Sequence, residues 1–309
     1  MGRLCQFMMN KVLRKKVLTI AGSDCSGGAG IQADLKTMTA HGVYGMSVIT
    51  AITVQNTTGV VESEPILPEI VAGQIDAVCS DIPPDAVKTG MLFSEEIIDV
   101  VSYKIKQYNL ENIVVDPVFV STSGSQLLEP QAAKALKEKL LPLAMVITPN
   151  IPEAQALTGI SINNKNDMVL AASELCKNSG TNVLVKGGHG TSDADDLLYC
   201  TEETAMDIKY AGSGAWAGFV ENKHDIVQVT GNGREIWFRH ERVGTNNTHG
   251  TGCTLSSAIA CNLASGMDIA AAIAAAKSYL TNALKAGLDI GHGNGPADHC
   301  WNIKPFIPV

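Results

Sequence analysis

A glycine-bearing turn that leads into a helix is the segment with the clearest chemical potential. It spans residues 246–254, contains Gly250, Gly252 and Cys253, and precedes a small-residue apolar stretch at 255–264. Glycines let backbone N–H groups point inward, and the first N–H groups of a helix are unpaired and lie at the positive end of its dipole. The pattern predicts an anion site, most simply for a phosphate, with a cysteine at its mouth. A plain glycine turn before a buried helix is the alternative.

Four polar side chains stand near the ends of apolar, strand-like runs. Asp116, Asn150 and Lys186 each follow such a run, and Glu153 begins the helix after Asn150. Because the carboxyl ends of parallel strands meet at one edge of a sheet, we expect these residues to lie together. Carboxylate and amide oxygens suit a Mg²⁺ that bridges phosphates, and the lysine can reach a nucleotide phosphate. Glu153 also fits a first-turn residue that pairs with the helix dipole.

Two amide side chains, Gln55 and Asn56, end another predicted strand. A planar amide presents a donor and an acceptor, which matches the edge of a heteroaromatic ring bearing an amino group, although a polar turn fits too. Upstream, residues 28–33 fit a dinucleotide-binding pattern, but the preceding loop is too long and no acid follows the next strand. Asp34 fits either a surface cap or a group that holds a ligand hydroxyl or amine.

Apolar runs and helix-like segments alternate along the chain. Strands are predicted at 17–21, 46–54, 86–88, 113–116, 145–147 and 182–185. Helices are predicted at 31–40, 68–78, 94–107, 130–141, 152–157, 167–178, 252–265 and 268–286. This alternation predicts an α/β fold with a mostly parallel central sheet, helices on both faces and a ligand site along one edge.

Residues 197–244 interrupt this alternation. Their alternating stretches are separated by glycines, which predicts antiparallel hairpins. Since no repeat, low-complexity tract or linker divides the chain, we predict one domain over 17–309 with a β-rich insertion at about 199–244. Residues 1–16 are predicted to be a poorly ordered N-terminal extension, with a transit peptide as the alternative.

Composition narrows the functional classes. The chain has 309 residues and a net charge of -8, which disfavours a nucleic-acid partner. Its 8 cysteines are scattered without Cys-x-x-Cys spacing, which predicts reduced thiols in the cytoplasm and no zinc site. No apolar run approaches the length of a membrane span, so no membrane partner is expected.

Several spaced segments share the pattern of one family. They are Thr-Ile-Ala-Gly-Ser-Asp at 19–24, Ser-Gly-Gly-Ala-Gly-Ile-Gln-Ala-Asp-Leu-Lys-Thr at 26–37, Tyr-Gly-Met-Ser-Val-Ile-Thr-Ala at 44–51, Val-Gln-Asn at 54–56, Lys-Thr-Gly-Met-Leu at 88–92, Thr-Pro-Asn at 148–150 with Glu153, Lys-Gly-Gly-His at 186–189 and Asn-Thr-His-Gly-Thr-Gly-Cys-Thr at 247–254. Together they resemble the hydroxymethylpyrimidine/phosphomethylpyrimidine kinases of thiamine biosynthesis, in the ribokinase-like superfamily. The resemblance covers about 17–198 and 247–296.

The resemblance implies a three-layer α/β/α fold with a mostly parallel central sheet and a small β flap. It implies ATP- and Mg²⁺-dependent phosphorylation of 4-amino-5-hydroxymethyl-2-methylpyrimidine to its monophosphate and then to the diphosphate. By motif, the resemblance assigns the transferring phosphoryl group to Gly250, Thr251 and Gly252, with Cys253 beside them. It assigns the pyrimidine to Gln55, Gly22 and Asp34. It assigns ATP to Lys186, Asn150 and Thr248, and Mg²⁺ to Asp116 and Glu153.

Cys253 departs from the sugar kinases of this superfamily, which carry an aspartate base there. A helix N-terminus lowers the pKa of a thiol, so we predict a thiolate that accepts the hydroxymethyl proton. The acceptor of the second transfer is an already ionised phosphate, which needs no strong base. The sequence therefore predicts that Cys253 assists the first transfer only.

A pyridoxal-type kinase of the same superfamily is the nearest alternative, although Gln55, Asn56 and Lys186 favour the pyrimidine. A catalytically silent, nucleotide-binding regulator is a second alternative, which the intact glycines and Cys253 oppose. The family resemblance and the frequency of twofold assemblies predict a homodimer. A flap is expected to close over the site and exclude water, and the 199–244 insertion is expected to extend the flap or mediate subunit contacts.

Overall fold

The strands form a single sheet in the structure, a computed structural model that describes residues 13–119, 131–188, 195–211, 226–230, 234–239 and 242–304. The strands are β1 (Lys16–Asp24), β2 (Tyr44–Asn56), β3 (Gly59–Pro65), β4 (Ala86–Thr89), β5 (Ile113–Val115), β6 (Val146–Ile147), β7 (Asn182–Val185), β8 (Asp196–Tyr199), β9 (Ile226–Thr230) and β10 (Glu235–Arg239). Their order across the sheet is β3-β2-β1-β4-β5-β6-β7-β8-β10-β9. Strands β2, β1, β4, β5, β6 and β7 pair in parallel, and β3, β8, β10 and β9 pair antiparallel.

Helices connect the parallel strands, as the alternation predicts, and helices also follow β8 and β10. They are α1 (Gly30–Ala40), α2 (Pro68–Asp81), α3 (Glu95–Gln107), α4 (Ala132–Ala135), α5 (Ile151–Thr158), α6 (Lys165–Ser179), α7 (Glu202–Ala211), α8 (Thr251–Ala264) and α9 (Ile269–Lys285). Local chemistry sets several boundaries. Ser94 caps α3 by accepting from the Ile97 amide at 3.4 Å, and Gly180 ends α6 in the left-handed conformation.

The two faces of the sheet carry separate apolar layers. Along β5, Ile113 and Val115 pack on one side with α2, α3 and α6, whereas Val114 packs on the other with α1, α8 and α9. The side chains of a strand alternate between faces, so a strand covered on both sides is apolar throughout. The predicted α/β/α architecture with a mostly parallel sheet is confirmed.

Three local expectations need correction. β1 continues through Gly22 to Asp24, where a loop was expected, because these residues keep pairing with β2 across a register shift. In the described part of the 130–141 segment, α4 gives way to a π-helical turn over Leu136–Leu140 and a 3₁₀ turn over Leu141–Leu143. In the described part of 197–244, a helix, α7, accompanies the strands.

Strands β8, β9 and β10 lie at the opposite end of the sheet from the β2–β3 hairpin. They therefore extend the central sheet at that end. The expectation that this insertion extends the flap or mediates subunit contacts stays a prediction. The rest of the predicted insertion, residues 212–225, 231–233 and 240–241, lies outside the described residues, as do 1–12 of the predicted N-terminal extension. Within the described ranges, no helix combines the length and apolarity needed to cross a bilayer.

A buried histidine gives the fold a pH-dependent weakness. His299 Nδ1 lies 3.0 Å from the Tyr279 hydroxyl and 3.4 Å from Thr37 Oγ1. Burial, followed by the charge of Lys36, lowers the pKa of His299 to about 4. An unfolded histidine titrates near pH ~6.5, so protonation favours the unfolded chain.

Above pH ~6.5, we expect the contribution of His299 to the free energy of unfolding to be fully present. As the pH falls from there to about 4, we expect the free energy of unfolding to decrease by about 3 kcal/mol. Urea unfolding at pH 7 and pH 4.5 measures this loss. The variant His299→Gln should show a shallower decline, and the exposed His292→Gln should match the wild type. An equal decline in wild type and His299→Gln would contradict the assignment.

Candidate active site

The carboxyl ends of the parallel strands bring most of the predicted polar residues to one edge of the sheet. Asp24 ends β1, Asp116 follows β5, Asn150 follows β6 and Lys186 follows β7. The backbone pairing continues beyond the strands, because Asn150 and Lys186 form an isolated parallel bridge. The expectation that Asp116, Asn150 and Lys186 lie together at one edge of the sheet is met.

The glycine turn before α8 packs against the glycine turn before α1. Gly250 is the N-cap of α8 and has a φ of 76°, a left-handed conformation that favours glycine. A Cβ on Gly250 would collide with the carbonyl oxygen of Gly28, and a Cβ on Gly28 would collide with the His249 ring. Both positions therefore need glycine if the turns are to remain in contact.

Asp24 fastens these two turns together. Its carboxylate accepts from the amides of Ser26, Gly28 and Ala29 at 2.8, 3.0 and 2.7 Å, and His249 Nε2 lies 2.8 Å away. Burial alone would raise the pKa of Asp24, but the hydrogen bonds from His249, Ser26 and Ala29 hold it well below its usual range. The aspartate is therefore ionised at neutral pH and orders the backbone beside Gly250.

Asp116 and Lys186 form an ion pair under the first turn of α8. Lys186 Nζ lies 2.8 Å from Asp116 Oδ1, and Thr148 Oγ1 donates to the same oxygen at 3.1 Å. Burial opposes the charge of Asp116, but Lys186 and then Lys88 lower its pKa. A Cβ on Gly252 would lie 3.4 Å from Asp116 Oδ2 and 3.5 Å from Lys186 Nζ. The amides at the start of α8 thus stand next to a carboxylate and an ammonium group.

Asn150 and Glu153 form a capping box at the start of α5. The Asn150 side chain accepts from the Glu153 amide, and Glu153 Oε2 accepts from the Asn150 amide, each at 2.8 Å. Burial, opposed by Lys186 and assisted by Asp116, raises the pKa of Glu153 to about 7. Glu153 is therefore a first-turn helix residue, which was one of the two interpretations of its sequence position. The capping box also holds its carboxylate close to the Asp116–Lys186 pair.

The residues at this edge fit a Mg²⁺ ion. Asp116 and Glu153 supply hard carboxylate oxygens, and they lie close enough for the charge of Asp116 to help raise the pKa of Glu153. Among the described residues, no cluster of three or more His, Cys, Asp or Glu could hold a metal alone. Mg²⁺ usually binds through one or two carboxylates and completes its shell with water and substrate phosphates. The donor set matches that mode and not a closed structural site.

The structure places Asp34 in a buried polar cluster. Its side chain has no exposed surface, and it accepts from Lys88 Nζ at 3.0 and 2.8 Å. Thr19 Oγ1 and Ser257 Oγ donate to it at 2.6 and 2.7 Å. Both carboxylate oxygens are thus occupied by protein groups. The predicted direct contact of Asp34 with a pyrimidine stays a prediction.

Cys253 lies half-buried on the first turn of α8. The expectation that the helix N-terminus lowers its pKa is wrong. Burial raises the pKa of Cys253 to about 11, and although Lys88 counteracts this, Asp34 and Asp116 add to it. Desolvation and two nearby carboxylates outweigh the helix dipole, so the thiol is neutral at pH 7 in the free protein.

The predicted pyrimidine side lies next to the same turns. The Cys25 thiol donates to the Gln55 carbonyl at 3.2 Å, which joins the end of β2 to the residue after Asp24. Gly22 is buried, and a Cβ there would lie 3.2 Å from Met91 Sδ. Gln55 is therefore connected through Cys25 and Asp24 to the α8 turn.

A segment near the C-terminus, residues 293–295, also connects the β2–β3 turn to the α8 turn. The Asn294 amide donates to the Thr57 carbonyl at 2.8 Å, and the His249 amide donates to the Gly295 carbonyl at 3.1 Å. A Cβ on Gly293 would collide with the Thr57 backbone. The β2–β3 turn, this segment and the α8 turn therefore form a continuous rim.

The two threonines assigned from the resemblance lie on this rim. Thr251 begins α8, and its hydroxyl donates to the Thr248 carbonyl at 3.0 Å. Thr248 is exposed. The Thr251 side chain thereby stabilises the turn, while the predicted contact of Thr248 with ATP remains a prediction.

Sequence reasoning missed Lys88, the Asp24–His249 contact and the two serines Ser256 and Ser257. Ser256 Oγ lies 3.4 Å from Asp116 Oδ2, and Ser257 binds Asp34. One signal was available: a lysine inside the buried strand β4 requires a buried counter-charge. The identity of that counter-charge depends on tertiary contacts that no local pattern shows.

Solved structures share this fold and much of the sequence. The ADP complex of Bacillus subtilis pyridoxal kinase matches with a TM-score of 0.78 and 36% identity over 93% of this chain and 98% of that chain. Phosphomethylpyrimidine kinase from Clostridium difficile 630 matches with a TM-score of 0.69 and 44% identity over 87% of this chain and 98% of that chain. The fold and the site define a phosphotransferase of the ribokinase-like class.

The sequence comparisons identify the family. A family model described as phosphomethylpyrimidine kinase matches residues 24–214 and 211–298. The chain belongs to this family. The hydroxymethylpyrimidine/phosphomethylpyrimidine kinase of Bacillus subtilis is 40% identical over 92% of this chain and 94% of its own length. The thiamine biosynthesis bifunctional protein ThiED of Geobacter sulfurreducens is 46% identical over 93% of this chain, which spans 52% of that protein.

Proposed function

We propose that this protein transfers the γ-phosphoryl group of ATP to the hydroxymethyl oxygen of 4-amino-5-hydroxymethyl-2-methylpyrimidine, and then transfers a second one to the monophosphate. In each step a bond forms between the acceptor oxygen and phosphorus, the bond to the bridging oxygen of ADP breaks, and ADP leaves. The observation that carries the proposal is the glycine turn of α8 standing over the Asp116–Lys186 pair, on the rim that carries Gln55. Relatives named for this activity support it.

The protein contributes to phosphoryl transfer chiefly by positioning the reacting groups and by placing charge beside them. The amides of Gly250, Thr251 and Gly252 would receive the equatorial oxygens of the transferring group, and the α8 dipole favours negative charge there. Lys186 would contact the ATP phosphates. Phosphoryl transfer depends on such positioning and electrostatic stabilisation more than on covalent assistance.

Asp116 and Glu153 would hold Mg²⁺, and Asn150 and Thr248 would lie beside ATP. The metal neutralises phosphate charge when it is bound. On the acceptor side, the Gln55 amide would bind the edge of the aminopyrimidine ring, and Gly22 would allow the ring to approach the β1 backbone. ADP and AMP-PCP complexes among similar kinases support ATP as the donor.

A coupled ADP-release assay tests the proposal. It presents hydroxymethylpyrimidine, its monophosphate and pyridoxal in parallel, with ATP and Mg²⁺. We expect ADP release with both pyrimidines, and ³¹P NMR should show the monophosphate and the diphosphate as products. No release with either pyrimidine would contradict the proposal.

Pyridoxal is the second candidate acceptor, because similar solved structures include pyridoxal kinases of Bacillus subtilis and Staphylococcus aureus. We propose it as a side substrate of the same site. A kcat/KM for pyridoxal above that for hydroxymethylpyrimidine would reverse this order.

Replacing Cys253 by alanine is expected to slow the first transfer by about 10- to 100-fold and to slow the second much less, because only the alcohol must lose a proton. With a pKa of about 11 in the free protein, the thiol would act through a small thiolate fraction. The first-step rate should therefore rise with pH between 7 and 9 in the wild type and stay flat in the variant. Single-turnover measurements of each step decide the matter, and equal losses in both steps would reject this role.

We further propose a homodimer in the cytoplasm. Exposed apolar side chains along β2, β3 and the start of α2 support self-association; they are Tyr44, Ile52, Val54, Val61, Leu67 and Ile70. The free thiols of all 7 cysteines in the described ranges support a reducing compartment. Light scattering that gives the mass of one chain at micromolar concentration would contradict the dimer.

A further inference from the structure

A buried lysine lies beneath the first turn of α8, outside the roles assigned above. Lys88 stands in β4 near the centre of the sheet, and its side chain has no exposed surface. Its Nζ is 3.0 and 2.8 Å from the two carboxylate oxygens of Asp34. A buried ion pair of this kind is often no more stabilising than a well-packed apolar pair. Stability alone therefore does not explain why a lysine occupies this strand.

The ion pair is connected to the helix that carries Cys253. Ser257 Oγ donates to Asp34 Oδ1 at 2.7 Å, and Ser257 follows Cys253 by one helical turn, so the two residues lie on the same face of α8. Thr19 Oγ1 holds the other carboxylate oxygen at 2.6 Å. Asp34 therefore links α8 to β1 and, through Lys88, to β4.

The structure also reserves space for the ammonium group. A Cβ on Gly90 would lie 2.9 Å from Lys88 Nζ and 3.1 Å from the Ala21 Cβ. The charged groups that act on Cys253 include Lys88 from β4, Asp34 from α1 and Asp116 after β5, together with Lys186. The two lysines favour negative charge there, and the two carboxylates oppose it. The lysine thus supplies positive charge from below the turn, whereas Lys186 supplies it from the side of Asp116.

We propose that the Lys88–Asp34 pair is a positioning device for phosphoryl transfer, which fixes the first turn of α8 through Ser257 and holds a permanent positive charge beneath Cys253 and the transferring group. The proposal deepens the kinase function and rests on it. Negative charge spreads over the oxygens of the phosphoryl group during transfer. A cation already fixed in a dry site stabilises that charge without reorganisation.

The test uses the full-length protein and three variants. Lys88→Met with Asp34→Asn removes both charges while keeping the volume, Ser257→Ala removes the link to α8, and Lys104→Met with Asp76→Asn removes a distant lysine–aspartate pair as the matched control. Each is measured for kcat and KM on hydroxymethylpyrimidine and ATP. Mass spectrometry of the Cys253 peptide measures its alkylation by iodoacetamide at one fixed pH, without substrate.

We expect the Lys88/Asp34 variant to lower kcat by about 30-fold with the KM for ATP changed less than about 3-fold, and to slow Cys253 alkylation by about 3-fold. Ser257→Ala should lower kcat by about 5-fold. The matched control should keep both rates within about 2-fold of wild type.

Wild-type rates of transfer and alkylation in the Lys88/Asp34 variant would overturn the proposal. If that variant does not fold, Ser257→Ala decides: wild-type kcat in this variant overturns the proposal, and a loss supports it. The alkylation readout needs no kinase activity. If the wild-type protein phosphorylates neither pyrimidine, the kinase function is refuted. If Cys253 alkylation is nevertheless slower in the Lys88/Asp34 variant than in the wild type, the positioning of α8 stands.

Discussion

Gly250→Ala is expected to lower kcat by about 100- to 1000-fold, the range measured when one preorganised donor to a transition-state oxyanion is lost. Gly250 has a φ of 76° and is the N-cap of α8. The added Cβ would collide with the Gly28 carbonyl oxygen, so the turns before α1 and α8 must separate. The amides that would receive the phosphoryl group would then be displaced, which steady-state kinetics with ATP and hydroxymethylpyrimidine measures.

Gly266→Ala is a closely matched control for this variant. Gly266 follows the other end of α8 with a φ of 88°, and no atom lies within 4 Å of its ideal Cβ. It therefore carries similar backbone strain, roughly 1 kcal/mol, without the collision. Its kcat should stay near that of the wild type. If Gly250→Ala also keeps wild-type kcat, the anion site does not lie at this turn.

Asp116→Asn should have the second large effect, a loss of kcat of about 100-fold or more. The substitution keeps the shape but removes the charge that pairs with Lys186 at 2.8 Å, and it also removes a proposed Mg²⁺ ligand. An uncompensated ammonium group is then left at the phosphate site. Kinetics across a range of Mg²⁺ concentrations should show that excess metal restores only part of the rate.

Asp76→Asn provides the comparison for Asp116→Asn. Asp76 also pairs with a lysine, Lys104 at 2.6 Å, but between α2 and α3. This variant should retain kcat and lose at most a little stability, since the pair is partly exposed. Equal kcat in the two variants would show that the charge of Asp116 takes no part in the reaction.

The parts of the fold and site that depend on local chemistry could be predicted from the sequence. The alternation of apolar runs and helices predicted the parallel strands because each buried strand is apolar throughout, as in β5. The order of the strand ends then placed Asp116, Asn150 and Lys186 together. Gly250 and the start of α8 followed from the conformational freedom of glycine.

The remainder depends on contacts between distant parts of the chain. Lys88 forms an ion pair with Asp34, 54 positions away in the sequence, and His249 contacts Asp24, 225 positions away. The pKa of Cys253 was predicted in the wrong direction because the helix dipole is readable from sequence, whereas burial and the neighbouring carboxylates are not. Likewise, no local pattern shows that β8, β9 and β10 extend the sheet at the edge opposite β3.

A crystal structure of the protein with ADP, Mg²⁺, aluminium fluoride and hydroxymethylpyrimidine would show whether the two substrates share one site. We expect the fluoride to contact the amides of residues 250–253, the metal to lie at Asp116 and Glu153, and the pyrimidine ring to lie against Gln55, all in one continuous site. Density for the pyrimidine away from Gln55, or for the fluoride away from the α8 turn, would contradict it.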